Sequence, residues 1–253
     1  MEPFSLLTLA ILFLAGCLAG FIDSIAGGGG IITVPALLAV GVPPHQALAT
    51  NKLQSSFGSL TAAVNYARLG LMEPRRLVVG FVFTLLGGIG GAVAVQHCNA
   101  GFLENLIILL LAALFFYTLL SPQLGFTRRP HRMNRVLFYI LAGLAIGFYD
   151  GFFGPGTGSF WTIGLVLLLG LDLKEATAQT KLFNMTSNLA ALAMFLHAGL
   201  VLWGAGLAMG IGQMLGAFCG STLVSRREMR FIRHFFLLVV AATILKLLYV
   251  RLG

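Results

Sequence analysis

Apolar residues dominate this chain in long runs bounded by glycine, proline or charge, and the runs recur in the same order twice. In the first half they fall at 4–22, 30–42, 48–69, 76–96 and 102–120, and in the second at 135–150, 157–170, 176–198, 201–223 and 234–251. A helix crossing the hydrocarbon layer needs about 20 residues. Most runs supply that length; the second of each half does not. The pattern predicts an all-α polytopic membrane protein with two repeats of about five helical segments, the second segment of each being short and preceded by a glycine-rich break.

The repeat is legible residue by residue. Positions 20–53 read GFIDSIAGGGGIITVPALLAVGVPPHQALATNKL, and positions 147–182 read GFYDGFFGPGTGSFWTIGLVLLLGLDLKEATAQTKL. Each copy carries an aspartate (Asp23, Asp150), then the glycine break, a short apolar run, and a lysine (Lys52, Lys181) opening the next helix. The match continues with Gly70 against Gly199, Gly87 against Gly216 and Gly91 against Gly220. A duplicated membrane domain with one broken helix per copy is a common transporter plan. The expected organisation is a first repeat at 1–122, a basic linker at 123–134 and a second repeat at 135–253.

Composition agrees. Of 253 residues 58% are hydrophobic and 9% charged, against roughly 25% charged in soluble domains. The net charge of +8 does not indicate nucleic acid, because the basic residues cluster in short connections between apolar runs. Cys17, Cys98 and Cys219 form no CxxC and read as packing residues. Leu14-Ala15-Gly16-Cys17 has the form of a lipoprotein box, but no Lys or Arg precedes it, so an uncleaved helix is expected. No metal-ligand spacing links His97, His131, His197 and His234, and no cofactor is expected. Trp203 and Tyr249 near segment ends fit interfacial anchors.

Loop charge decides the symmetry. If the short runs cross, Arg68, Arg75, Arg76, Arg128, Arg129, Arg132, Arg135, Lys174, Arg226, Arg227, Arg230 and Arg233 share one side and only Arg251 lies opposite; if they turn back, the same residues divide eight to five. The tendency of basic loops to stay in the cytoplasm selects the first arrangement. Two inverted repeats are therefore expected, with the linker inside and both termini periplasmic. Glycines four apart, such as Gly212, Gly216 and Gly220, predict close helix packing without specifying an oligomer.

Glycines 27–30 and the matching Gly154-Pro155-Gly156-Thr157-Gly158 end one helix and open another, leaving free N–H groups and a positive dipole end at the break. Inside a membrane such backbone must be buried in protein or line a wet cavity, and an anion is its natural ligand. Lys52 and Lys181 precede polar faces that include Gln54 and Ser55 in one copy and Asn184 and Asn188 in the other. A cation among amides and hydroxyls suits an oxyanion; snorkelling to headgroups and pairing with an aspartate are the other uses open to it. Asp23 and Asp150 have three open roles: capping the short helix, pairing with a lysine, or carrying a coupled proton.

The segments GFIDSIAGGGG, ALATNKLQ, GFYDGFFGPGTGSF and ATAQTKLFN together resemble the sulfite exporter TauE/SafE family of bacterial membrane permeases over essentially the full length. The resemblance implies a multi-pass carrier of the bacterial inner membrane that moves sulfite, an organosulfonate or a related sulfur-containing anion, with its site between the two glycine breaks. Carried over by motif, the substrate-binding candidates are Gly28, Gly29, Asn51, Lys52 and Gln54 in the first copy. In the second they are Gly154, Gly156, Gln179, Lys181 and Asn184, with Asp23 and Asp150 in a proton-coupling or structural role. Pro155 in place of a glycine and Thr180 in place of Asn51 predict an asymmetric site. A passive channel or a membrane accessory subunit is the alternative; an intramembrane enzyme lacks any legible nucleophile and base.

Overall fold

The computed structural model describes residues 4–103, 105–107, 109, 110, 113 and 132–226, and among these every regular element is helical. The first half contributes α1 (Leu6–Ala26), α2 (Gly30–Ala39), α3 (Pro44–Arg68), a 3-10 turn (Pro74–Leu77) and α4 (Val78–Gln96). The second contributes α5 (Arg135–Phe152), α6 (Thr157–Leu169), α7 (Leu173–His197) and α8 (Trp203–Arg226). Most of segment 102–120, segment 234–251, the linker up to residue 131, positions 227–233, His131, His234, Tyr249 and Arg251 lie outside the described residues.

Local chemistry sets the ends. The first N–H groups of a helix have no partner in a preceding turn. Ser5 accepts from the Thr8 N–H at 3.1 Å, Asn134 from Val136 and Leu137, and Asp172 from Glu175 at 2.9 Å. α3 opens at Pro44, where a missing N–H costs nothing. α1 stops at Gly27, whose φ of 73° is a left-handed conformation that a residue with a Cβ adopts reluctantly.

α1, the turn with α4, α5 and α8 are long and apolar enough to cross a membrane. Their free faces carry exposed Leu6, Leu14, Leu86, Leu141, Ile211 and Phe218. So much apolar surface would need covering in water and needs none in lipid. α3 and α7 are also 25 residues long but polar along their length, burying Thr50, Asn51, Lys52, Gln54, Thr180, Lys181, Asn184 and Ser187. Polar helices are tolerated at membrane depth only when enclosed by protein. Here α3 packs on α7 and α8, and α7 packs also on α4 and α5.

The halves are interwoven. α1 lies along α8 and α5 along α4, so each half's first helix packs on the other half's fourth. Gly16 meets Met209, Gly20 meets Gln213, Gly216 meets Cys17 and Gly220 meets Phe21, so α1 and α8 run in the same direction. In the other seam Gly87 meets Leu144 and Gly91 meets Phe148, with the same consequence for α4 and α5. The approach is backbone to backbone: a Cβ on Gly216 would lie 1.9 Å from the Cys17 carbonyl oxygen. Only glycine permits it.

Candidate functional site

The two glycine breaks touch. A Cβ placed on Gly27 would lie 2.4 Å from the Gly158 Cα, and Ser159 Oγ donates to the Gly27 carbonyl at 3.0 Å. Gly30 packs on Pro155 in the same way. The N-termini of α2 and α6 therefore converge at one place, and their positive dipole ends converge with them.

At that place the charges are paired across the repeats. Lys52 of the first half bonds Asp150 of the second, Nζ to Oδ1 at 2.7 Å, and Lys181 of the second bonds Asp23 of the first, Nζ to Oδ2 at 3.2 Å. Each ammonium also donates to the backbone carbonyl of the same aspartate. Taking a charge out of water is costly unless partners replace its hydration, and these contacts supply such partners.

The two pairs differ in how completely they are held. Side-chain exposure is 1% for Lys52 and 3% for Asp150, whose second carboxylate oxygen accepts from the Ser187 hydroxyl. Lys181 is fully buried, but Asp23 keeps 20% of its side-chain surface, and among the described residues its other oxygen accepts only a long bond, 3.3 Å, from the Gly29 N–H. Thus Asp23 both pairs with a lysine and touches the first turn of the short helix. Among the described residues Asp150 makes no such bond to its own break.

Beside these pairs lies a small polar cavity. Gly29 and Gly30 of the first break line it with Gly154, Gly156, Thr157 and Gly158 of the second; Asn51 and Ser55 come from α3, Asn184 and Asn188 from α7, and both aspartates face it. It gives a water-sized sphere about 20 Å³ in which to move, and one water needs about 10–15 Å³ on that measure. An anion of several heavy atoms enters only if the elements part.

The sequence candidates separate accordingly. Asn51, Gly29, Gly154, Gly156 and Asn184 share the cavity with the aspartates, whereas Lys52 and Lys181 stand behind Asp150 and Asp23. Asn51 Oδ1 accepts from Thr33 Oγ1 at 2.6 Å and from Gln54 Nε2 at 2.7 Å, so Gln54 orients a cavity residue from behind. Gly28 stays in the break, its carbonyl accepting from Ile31 N–H at 2.9 Å. Gln179 lies elsewhere, accepting from the Tyr139 hydroxyl at 3.0 Å.

Two polar residues outside the candidate set belong to this region. Ser187 holds Asp150. Gln213 of α8 is 1% exposed, and neither its Oε1 nor its Nε2 has a hydrogen-bond partner among the described residues. An unsatisfied buried amide costs about 1–3 kcal/mol. Its signal in the sequence is a single amide within the otherwise apolar stretch 203–220.

A helical membrane protein whose duplicated halves meet at a buried, charge-paired polar cavity belongs to the class of multi-pass transporters. The family model described as Sulfite exporter TauE/SafE matches residues 12–247, and the chain is a member of that family. It is 44% identical over 243 residues, covering 96% of this chain and 90% of the other, to the probable membrane transporter protein YfcA of Escherichia coli strain K12. A probable membrane transporter protein of Haemophilus influenzae is 41% identical over 241 residues, 95% and 94% of the two chains. The probable membrane transporter protein ORF9 of a Sinorhizobium species is 42% identical over 248 residues, 98% and 95%. The protein is a membrane transporter, not an enzyme.

Proposed function

We propose that this chain is a secondary transporter for a small anion, namely sulfite, an organosulfonate or a related sulfur-containing anion, working by alternating access around the two glycine breaks. The observation that carries this reading is the meeting of two short-helix N-termini at one polar cavity, backed by two lysines that aspartates of the opposite repeat hold in place. Among the described residues each ammonium spends two of its three donors on one aspartate. A substrate oxyanion that displaces a carboxylate would gain that cation together with the amides of Asn51 and Asn184. The sulfur-containing class is the one the family description names.

Inverted repeats supply the mechanism. Thr50 accepts from the Leu202 N–H and Asn65 donates to Ser221, so α3 runs with α8, as α1 does. Gly80 meets Phe183 and Gly88 meets Ser187, so α7 runs with α4, as α5 does. Leu53 clusters with Leu192 and Phe195, and Tyr66 with Ala178 and Leu182, which sets α3 against α7. These directions support opposed halves, and the loop charges support periplasmic termini in a bacterial inner membrane. Rocking of one interwoven unit against the other around the Gly27–Gly158 contact would open the cavity to each side in turn.

Uptake of radiolabelled sulfite into proteoliposomes, with and without an imposed pH gradient, tests the reading. Saturable uptake that the gradient accelerates is expected. Uptake rising linearly with concentration and indifferent to the gradient would replace the carrier with a passive channel.

A further inference from the structure

The repeat makes Gly58 the counterpart of Ser187 and Thr84 the counterpart of Gln213, because both follow the spacing that sets Lys52 against Lys181 and Gly87 against Gly216. The contacts agree: Gly20 packs on the Gln213 backbone as Gly147 packs on that of Thr84. In the second half the Ser187 hydroxyl donates to Asp150. In the first half the same position has no side chain at all, and the Gln213 amide fills the room: its Oε1 lies 2.0 Å from where a Gly58 Cβ would be. Its Nε2 lies 3.4 Å from the corresponding point on Gly29, which is itself 2.9 Å from the Asp23 Cβ. So the amide of a different helix stands where a serine would hold the aspartate, beside it and bonded to nothing among the described residues.

We propose that Gln213 is a positioning residue for Asp23, taking up its carboxylate when Lys181 leaves it, and that Lys181–Asp23 is therefore the charge pair that opens during transport while Lys52–Asp150 stays shut. This rests on the carrier reading above and names which half of its site moves. Both aspartates face the cavity, but Asp150 is committed to Lys52 and Ser187 with 3% of its side chain exposed, whereas Asp23 is held by a 3.2 Å pair and a 3.3 Å backbone bond and is 20% exposed. A carboxylate cannot lose its cation at this depth without either a replacement donor or a proton. Gln213 Nε2, close to the Gly29 backbone that bonds Asp23, is a donor with no hydrogen-bond partner among the described residues. The charged and titratable groups around Asp23 are Lys181 from α7, the Tyr66 hydroxyl from α3, which donates to the neighbouring Ser24 carbonyl at 2.7 Å, and Asp150 of α5 across the cavity. Among the described residues it accepts from the Gly29 N–H at the start of α2, and the Gln213 amide of α8 lies beside that glycine.

The test separates positioning from packing. Opening is read by maleimide labelling of Asn188→Cys, a cavity residue, in a variant whose native Cys17, Cys98 and Cys219 are replaced by alanine, so the readout needs no knowledge of the anion. Gln213→Leu keeps the bulk and removes the donor. Its melting temperature is expected to equal or exceed that of the parent. Its labelling is expected to slow at least tenfold, since Asp23 then has no replacement donor when it leaves Lys181. In an Asp23→Asn background the same change is expected to have no further effect. The double variant Gly58→Ser/Gln213→Thr, which gives the first half the second half's side chains at these two positions, is expected to slow labelling likewise. An equal slowing by Gln213→Leu with and without Asp23→Asn, or labelling unchanged by either variant, would overturn the proposal. Absent sulfite uptake by the parent, with these labelling effects intact, would count against the anion assignment and not against Gln213.

Discussion

At the scale of single residues, each aspartate–lysine pair ties two questions together, stability and substrate. Removing one member of a buried pair leaves the other uncompensated and costs about 3–5 kcal/mol. Lys52→Met should therefore lower the melting temperature in detergent strongly, because Asp150 has almost no access to solvent, while Lys181→Met should lower it less, because Asp23 is partly exposed. Pairing each change with its aspartate, as in Lys52→Met/Asp150→Asn, should restore most of the stability. For the pair that opens, affinity for sulfite measured by calorimetry should stay about tenfold or more weaker in Lys181→Met/Asp23→Asn, since a charged hydrogen bond contributes roughly 1.5–3 kcal/mol. Full recovery of affinity with stability would leave Lys181 a purely structural part. Sequence alone made Asp23, Asp150, Lys52 and Lys181 visible through duplication. It could not pair them crosswise, because that depends on which helices of the two halves exchange places.

At the scale of helices, glycines do two jobs that the sequence does not distinguish. Gly216 is pressed against the Cys17 carbonyl, whereas a Cβ on Gly204, in the first turn of the same helix, would meet nothing within 4 Å. Gly216→Ala should therefore push α8 off α1 and destabilise the protein. Gly204→Ala should be neutral or stabilising by up to about 1 kcal/mol through helix propensity. Thermal melts of the two purified variants decide between close packing and mere flexibility. Gly158→Ala belongs to the first kind, because the added Cβ would lie 2.5 Å from the Gly27 Cα. It should separate the breaks and abolish transport more than it lowers stability, which uptake and melting measured together would reveal. The helices themselves were nearly all legible from apolar runs and breakers: expected runs at 30–42 and 157–170 correspond to α2 (Gly30–Ala39) and α6 (Thr157–Leu169). Gln213 was not, because a single amide in an apolar helix acquires meaning only from the missing side chain at Gly58, on α3 in the other half of the chain.

At the scale of the whole molecule, the inverted reading and the interweaving lead to one prediction about sidedness. On the opposed-repeat proposal α1, α3 and α8 run one way and α4, α5 and α7 the other, so the ends of α3 and α8 and the beginnings of α4 and α5 would share a membrane face. Arg68, Arg75, Arg76, Arg132 and Arg135 stand at those ends, and moving one cation across to the other face would oppose the bias that orients membrane proteins. Single cysteines introduced at Arg75 and Arg132 in a cysteine-free variant should be silent to an impermeant maleimide added to intact cells. Both should react in inside-out vesicles. A cysteine at His97, beyond the far end of α4, should show the reverse pattern. Reaction of Arg75→Cys and Arg132→Cys from opposite sides would separate the beginnings of α4 and α5 and remove the opposed-repeat arrangement. The meeting of the two breaks would then lose its symmetry rationale, and with it the argument that alternating access here comes from two halves that are each other's reverse.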